Sequence, residues 1–381
     1  MTIPALLATA RAPLAAFAAM GVLWGTFAAV LPDLKIMLDV DEARLGLLIF
    51  ATPIAAVLSM LAAPAIGASL GRAALPVAAT LMALAFTLPG QTASLLLFPL
   101  AMMACGAATG LTDVLMNARV AALENDRGLP LMNLCHAAYS FGYAGGAIAT
   151  GAMRADGWAP GAVMLTMSAT ALILAALTRE ADGTIHGLRR PEGGGPGLGL
   201  IPVLGGGIVL IAFLTENAAE NWSALHIEQT LGGSPAEGAM GPAALALTMG
   251  VARLVGQGFA QRVNPLHLLC GGAVISAAGA LTAGLAVSPT MAYAGFIIMG
   301  IGSSVIAPTA FSLVGRFARP EARARAVARA TLYGYFGYFF GPPMLGFIAG
   351  SFGLRMAFVF AAFVLLSILV LAPLMLRRRL A

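Results

Sequence analysis

The sequence predicts an all-α polytopic membrane protein of twelve transmembrane helices in two six-helix bundles. Three observations predict it. Of 381 residues, 60% are hydrophobic and only 10% charged, where soluble domains carry about 25% charged residues. Twelve stretches are each long and apolar enough for a crossing helix, which needs about 20 residues. A single long polar insertion, Arg179 to Leu198, divides them six and six.

The spans fall at 12–32, 45–68, 73–90, 94–117, 131–152, 158–178, 201–225, 239–260, 266–287, 290–313, 328–350 and 354–376. The insertion contains Pro191-Glu192-Gly193-Gly194-Gly195-Pro196-Gly197, which is linker composition. The expected organisation is therefore a bundle over 1–180, a cytoplasmic linker over 181–199 and a second bundle over 200–381. The apolar run after Arg11 flows into a full-length span without a cleavable-signal pattern, so it reads as an uncleaved first helix.

Orientation follows from the basic residues. With the N-terminus inside, the cytoplasmic ends carry sixteen arginines, among them Arg72, Arg262 and the series Arg316, Arg319, Arg323, Arg325 and Arg329. The opposite face has four basic residues: Lys35, Arg44, Arg154 and Arg355. Positive residues collect on the cytoplasmic side, so both termini face the cytoplasm. The net charge of +5 reports this orientation and is no signal for nucleic acid. Abundant Ala, Gly and Arg suggest a GC-rich bacterial genome, hence the bacterial inner membrane. Cys105, Cys135 and Cys270 lie in apolar runs with no paired spacing, so neither a disulfide framework nor a zinc motif is expected.

The halves resemble each other. Gly142, Gly146 and Gly151 of the fifth span recur as Gly337, Gly341 and Gly346 of the eleventh, each 195 positions later, and Arg72 recurs as Arg262, 190 positions later. A repeat at half the chain length in the same orientation implies bundles related by a pseudo-two-fold axis along the membrane normal.

Along its whole length the chain resembles a major facilitator superfamily transporter. It is most similar to the bacterial YbjJ-like branch through Gly110-Leu111-Thr112-Asp113 with Asn117, and His136 with Gly142. The same branch is suggested by Glu220-Asn221-Trp222-Ser223, Arg253-Leu254-Val255-Gly256 and Gly341-Pro342-Pro343. Of the superfamily's loop signature after the second span, Gly67 and Arg72 fit. Its acidic position falls on Gly71, removing the acid on which that loop's salt-bridge latch is usually built.

The seventh span holds the main chemistry, Thr215-Glu216-Asn217-Ala218-Ala219-Glu220-Asn221-Trp222. The glutamates are four apart, as are the asparagines, so each pair stacks on one side of a helix. Intramembrane charge is costly, about 2.5–3.5 kcal/mol for a centred Asp, Lys or Arg, and is kept where it faces a hydrated, protein-lined cavity. A carboxylate in such a cavity can exchange protons near neutral pH, so Glu216 and Glu220 are proton-coupling candidates. The plainer reading of Glu220 is a solvated helix end. Asn217, Asn221 and Trp222 are substrate-contact candidates, since amides both donate and accept and an indole offers a face; Trp222 reads equally as an interfacial anchor.

Asp113 and His136 form a second proton-coupling constellation. They lie eleven and twelve residues from the hairpin tip at Glu124, hence at nearly equal depth. They are expected either to relay a proton or to bond helix to helix. Asn117, one turn beyond Asp113, joins this cluster as a substrate contact, and Tyr139 and Tyr335 are expected to line the cavity. Arg253, within the eighth span, either binds an anion, pairs with a carboxylate of the cluster, snorkels to the cytoplasm or bonds a neighbouring helix. Arg72, Arg253, Arg262, Gly341 and Pro342 are the gating and structural candidates, with Gly341-Pro342-Pro343 expected to kink the eleventh span.

The function expected is secondary active transport of a small polar solute by alternating access, coupled to protons, with sugar-like solutes favoured by resemblance to sugar–proton symporters. Proton-driven efflux of amphipathic drug-like compounds is the alternative. Copper or other metal uptake is a lesser one, prompted by 19 methionines and Met132-Asn133-Leu134-Cys135-His136. No HExxH, GxSxG or clustered His/Asp set points to an enzyme. No cofactor is expected; the partners are protons, solute and lipid bilayer, with the protein a monomer.

Overall fold

The computed structural model describes residues 7–129, 131–185, 198–260, 263–319 and 322–377. Among the described residues, fourteen helices of eight or more residues, here α1 to α14, account for the predicted spans. The first six spans are α1 (Arg11–Leu38), α2 with α3 (Glu42–Ile49, Ala51–Leu70), α4 (Ala74–Ala85), α5 (Leu97–Arg127), α6 (Met132–Ala155) and α7 (Pro160–Ala176). The second six are α8 (Ile201–Leu225), α9 (Pro235–Ala260), α10 (Pro265–Gly284), α11 (Pro289–Phe317), α12 (Arg323–Phe352) and α13 with α14 (Leu354–Leu366, Ile368–Arg377). The glycine-rich centre of the predicted linker, 186–197, lies outside the described residues, as does Arg262.

Local chemistry sets several helix ends. Asp39 turns the chain out of α1 in the left-handed conformation at φ 51°, which a short polar side chain tolerates. Gly128 does the same after α5 at φ 64°. Ser288 and Asn264 accept backbone N–H bonds at the starts of α11 and α10, each followed by a proline in the first turn. Although Pro342 and Pro343 both lie inside α12, that helix runs unbroken from Arg323 to Phe352.

The contacts divide the chain into two compact units. One comprises Met1–Val40 with Leu48–Pro191, the other Asp41–Leu47 with Glu192–Ala381. In the first, α1 is buried on nearly every side, as a helix apolar all round must be. It packs against α6 through glycines on both partners. A Cβ on Gly25 would overlap the Tyr143 carbonyl, and one on Gly142 or Gly146 the carbonyl of Ala18 or Val22. Small residues let the backbones meet, which is what drives helix association where lipid replaces water. Gly106 and Gly110 bring α5 onto α3 in the same way.

Two polar ties hold this unit at its ends. Arg154 at the end of α6 donates to both carboxylate oxygens of Asp33 (2.7 and 2.6 Å) and to the Ala29 carbonyl (2.7 Å). Near the other end Arg119 donates to Glu180 at 2.8 Å and to the Asp182 carbonyl at 2.9 Å.

The second unit repeats the central pairing. There α8 is the buried helix and α12 its glycine-bearing partner, with Gly337 against the Leu210–Leu214 backbone and Gly341 against Asn217. Gly142 and Gly146 thus serve the same crossing in the first unit as Gly337 and Gly341, 195 positions later, do in the second. The segment Asp41–Leu47 belongs with this unit because Gly46 seats on the Pro342 carbonyl and Gly346 seats on Glu42 and Gly46. Arg355 donates to the Gly284 and Ala286 carbonyls at 3.3 and 2.6 Å, satisfying the exposed end of α10.

Candidate functional site

The candidate site lies on the C-terminal half of α8. Glu216 is 4% exposed, Asn217 5%, Asn221 7% and Trp222 0%, and Glu220 is half-buried. Full burial leaves Trp222 no surface to present to a lipid headgroup, so its reading as an interfacial anchor falls; its ring edge packs beside Gly346 instead.

Several of these groups lack protein partners. Among the described residues, Glu216 Oε1, Asn217 Oδ1, Trp222 Nε1 and Ser223 Oγ are buried without a hydrogen bond. Burying such an atom unpaired costs about 1–3 kcal/mol, more for a charged group. Four in one short stretch is a concentration of unmet hydrogen-bonding capacity, with Ser223 turned to Gly241 of α9 and Asn217 and Trp222 to Gly341 and Gly346 of α12.

Charge converges on the same place. Arg253 of α9 lies in electrostatic range of both Glu216 and Glu220, and the two glutamates sense each other. Its Nε is buried without a hydrogen bond. The set is therefore two acids and one base in a low-dielectric setting, where each interaction is stronger than in water.

Around this centre, α12 supplies Gly341, which leaves room for the Asn217 side chain. It also supplies Tyr335, whose ring meets Phe213 of α8 edge-on at 6.1 Å, while Tyr338 stacks on Phe213 at 4.8 Å. In the other unit, Asn117 donates to the carboxylate and the carbonyl of Asp113, at 3.1 and 2.9 Å. His136 meets Phe17 of α1 edge-on at 5.0 Å, and Tyr139 lies 5.9 Å from Tyr143. Arg72 is exposed on the short turn Gly71–Ala73 after α3. Pro342 turns its carbonyl toward Gly46 rather than breaking α12. No three His, Cys, Asp or Glu side chains gather as a metal set among the described residues.

Sequence reasoning passed over three groups. Arg154 enters the orientation count alone, and the linear sequence does not tie it to Asp33. Arg119 and Glu180, 61 positions apart, are likewise joined only by the fold. His226 was not singled out; it is fully buried in a π-helical turn at His226–Thr230, with Nε2 3.0 Å from the Ala283 carbonyl. An imidazole one turn beyond Trp222 in an apolar run was the available signal.

Known proteins share this architecture. The Major Facilitator Superfamily model matches residues 204–381. An uncharacterized MFS-type transporter of Yersinia pestis is 29% identical over 359 residues, covering 93% of this chain and 92% of the relative. A solved bacterial homolog of the human lysosomal transporter Spinster, inward-facing and unoccupied, superposes with a TM-score of 0.75 at 17% identity over 100% of this chain and 98% of the other. A D-xylose–proton symporter superposes with a TM-score of 0.76 at 15% identity over 97% of each chain. On the all-helical fold, the paired crossings of its halves and these likenesses, the chain has the fold of the major facilitator superfamily transporters, and its residues 204–381 match that family's model.

Proposed function

We propose that the protein moves a small polar solute, sugar-like in size and hydrogen bonding, across the bacterial inner membrane by alternating access coupled to protons. Glu216 is the central protonatable group of this reading. The observation that carries it is the row of buried, unpartnered polar atoms on α8, set against Arg253. A hydroxyl-rich solute offers both donors and acceptors to Glu216, Asn217, Asn221 and Trp222, and binding relieves the cost of leaving them unpaired. A proton on the carboxylate does part of the same work, so proton and solute can each bias one conformation over another. Unequal bias is all that coupling requires. The likeness to a D-xylose–proton symporter is one of fold, and it gives a reason to try pentoses and hexoses first.

In this reading Asp113 with His136 is the second proton-handling pair, Asn117, Tyr139 and Tyr335 are further contacts, and both termini face the cytoplasm on the strength of the arginine distribution. The test begins with a ligand-stabilisation screen of sugars, polyols, organic acids, amino compounds and cationic dyes at acidic and alkaline pH. Proteoliposomes with an imposed pH gradient then compare the wild type with Glu216→Gln. Loss of gradient-driven accumulation with retained solute exchange supports the assignment, and accumulation undiminished by the substitution removes it. Stabilisation by dyes alone would replace the sugar-like solute with an amphipathic one.

A further inference from the structure

The turn between α11 and α12 and the face of α12 that follows form a surface with no role in the reading above. Five arginines occur within fourteen residues, Arg316, Arg319, Arg323, Arg325 and Arg329. Arg316, Arg319, Arg323 and Arg329 are exposed and Arg325 half-buried. Arg323 is partly engaged, its Nε donating to the Gly315 carbonyl at 2.9 Å. The repeat shows that the fold does not demand this charge. The same 195-position shift places Glu124 where Arg319 stands and Leu134 where Arg329 stands. In that counterpart turn Glu124 is occupied by the Leu131 and Met132 backbone N–H groups, at 2.6 and 2.8 Å.

The arginines lead into an apolar stripe. Leu332 (48% exposed), Phe336 (39%), Phe340 (49%) and Phe347 (62%) are large and uncovered. Spacings of 3, 7, 11 and 18 from Arg329 put all four on one side of α12, with Arg325 one turn before it. The Phe336 and Phe340 rings stack at 5.9 Å. At 1.5 Å per residue the distance from Arg329 to Phe347 is about 27 Å, close to the hydrocarbon thickness of a bilayer. Arg329 then lies at headgroup level when Phe336 and Phe340 lie within the adjoining leaflet.

We infer that this face of α12 binds an anionic phospholipid of the leaflet on the α11–α12 side, with its phosphate on Arg325 and Arg329 and its acyl chains along Leu332, Phe336 and Phe340. Charge complementarity selects the occupant: clustered arginines beside a membrane span attract acidic headgroups, and guanidinium matches phosphate in planar, two-pronged contact. The neighbouring Arg316 and Arg319 add attraction that salt screens. A second protein would need to bring acidic groups and an apolar strip in the same register, whereas an acidic lipid carries both already.

The test uses the full chain in detergent, titrated with phosphatidylglycerol or with phosphatidylcholine of the same acyl chains, and read by native mass spectrometry and thermal melting. The wild type is expected to bind one phosphatidylglycerol at least tenfold tighter than phosphatidylcholine. R325Q/R329Q should bring the two lipids within about twofold, and F336A/F340A should weaken both while keeping the preference. R127Q, an exposed arginine of the counterpart turn, should match the wild type. If the double variant does not fold, R329Q alone should cut the preference about threefold. Equal binding of the two lipids by the wild type, an undiminished preference in R325Q/R329Q or R329Q, or displacement of the lipid by inorganic phosphate would each overturn the inference.

Discussion

A Cβ built on Gly341 stands 2.9 Å from Oδ1 of Asn217 and 3.2 Å from its Cγ. The glycine is thus what allows a buried amide to hold its place on α8. Gly341→Ala should push the amide aside, with modest destabilisation of about 1–3 kcal/mol typical of overpacking. Solute affinity in transport assays should fall more than stability does. Asn217→Ala should produce a similar loss, and the double variant should be no worse than either alone. Additive losses would separate the two residues.

Arg253 and Glu216 are predicted to be more harmful broken than removed together. Arg253→Gln leaves two partly or wholly buried glutamates without their compensating cation, and removing one partner of a buried charge set costs about 3–5 kcal/mol. Glu216→Gln with Arg253→Gln should recover part of the lost melting temperature, though not gradient-driven transport. A double variant as unstable as the sum of the singles would show the pair to be uncoupled.

The Asp33–Arg154 bridge is expected to be a structural tie. Arg154→Ala strands Asp33 and takes the guanidinium away from the Ala29 carbonyl on α1, so the melting temperature should drop sharply by the same reasoning. Asp33→Asn should cost less, since an amide still accepts from the guanidinium. Thermal melts of the two purified variants give the comparison.

Two glycines of opposite environment test the close α1–α6 approach. Gly25→Val would drive a side chain into the Tyr143 backbone and should abolish folded protein, read as loss of monodisperse material after purification. Gly145 has open space around its missing Cβ. Gly145→Ala should be neutral or stabilising by up to about 1 kcal/mol, because alanine loses less entropy in a helix.

Much of the fold was legible because its signals are one-dimensional. Apolar length marks each crossing, and every predicted span coincides with helix. The placement of acids and amides at 215–222 needed no coordinates, since their cost in lipid is a property of the residues themselves. The Trp222 anchor reading failed because proximity to a helix end says nothing about what packs over it. At Pro342 and Pro343 the helix continues from Arg323 to Phe352, so the prolines do not end α12.

The sequence by itself determined how many times the chain crosses the membrane and which span carries charge. Only the tertiary structure decided the partners: Arg253 toward Glu216 and Glu220, Asn217 against Gly341, Arg154 onto Asp33. The physical reason is that central helices such as α1 and α8 are buried on nearly all sides and so carry no apolar stripe to mark a facing direction. Their rotation and register are set by where glycines on neighbouring helices let two backbones meet.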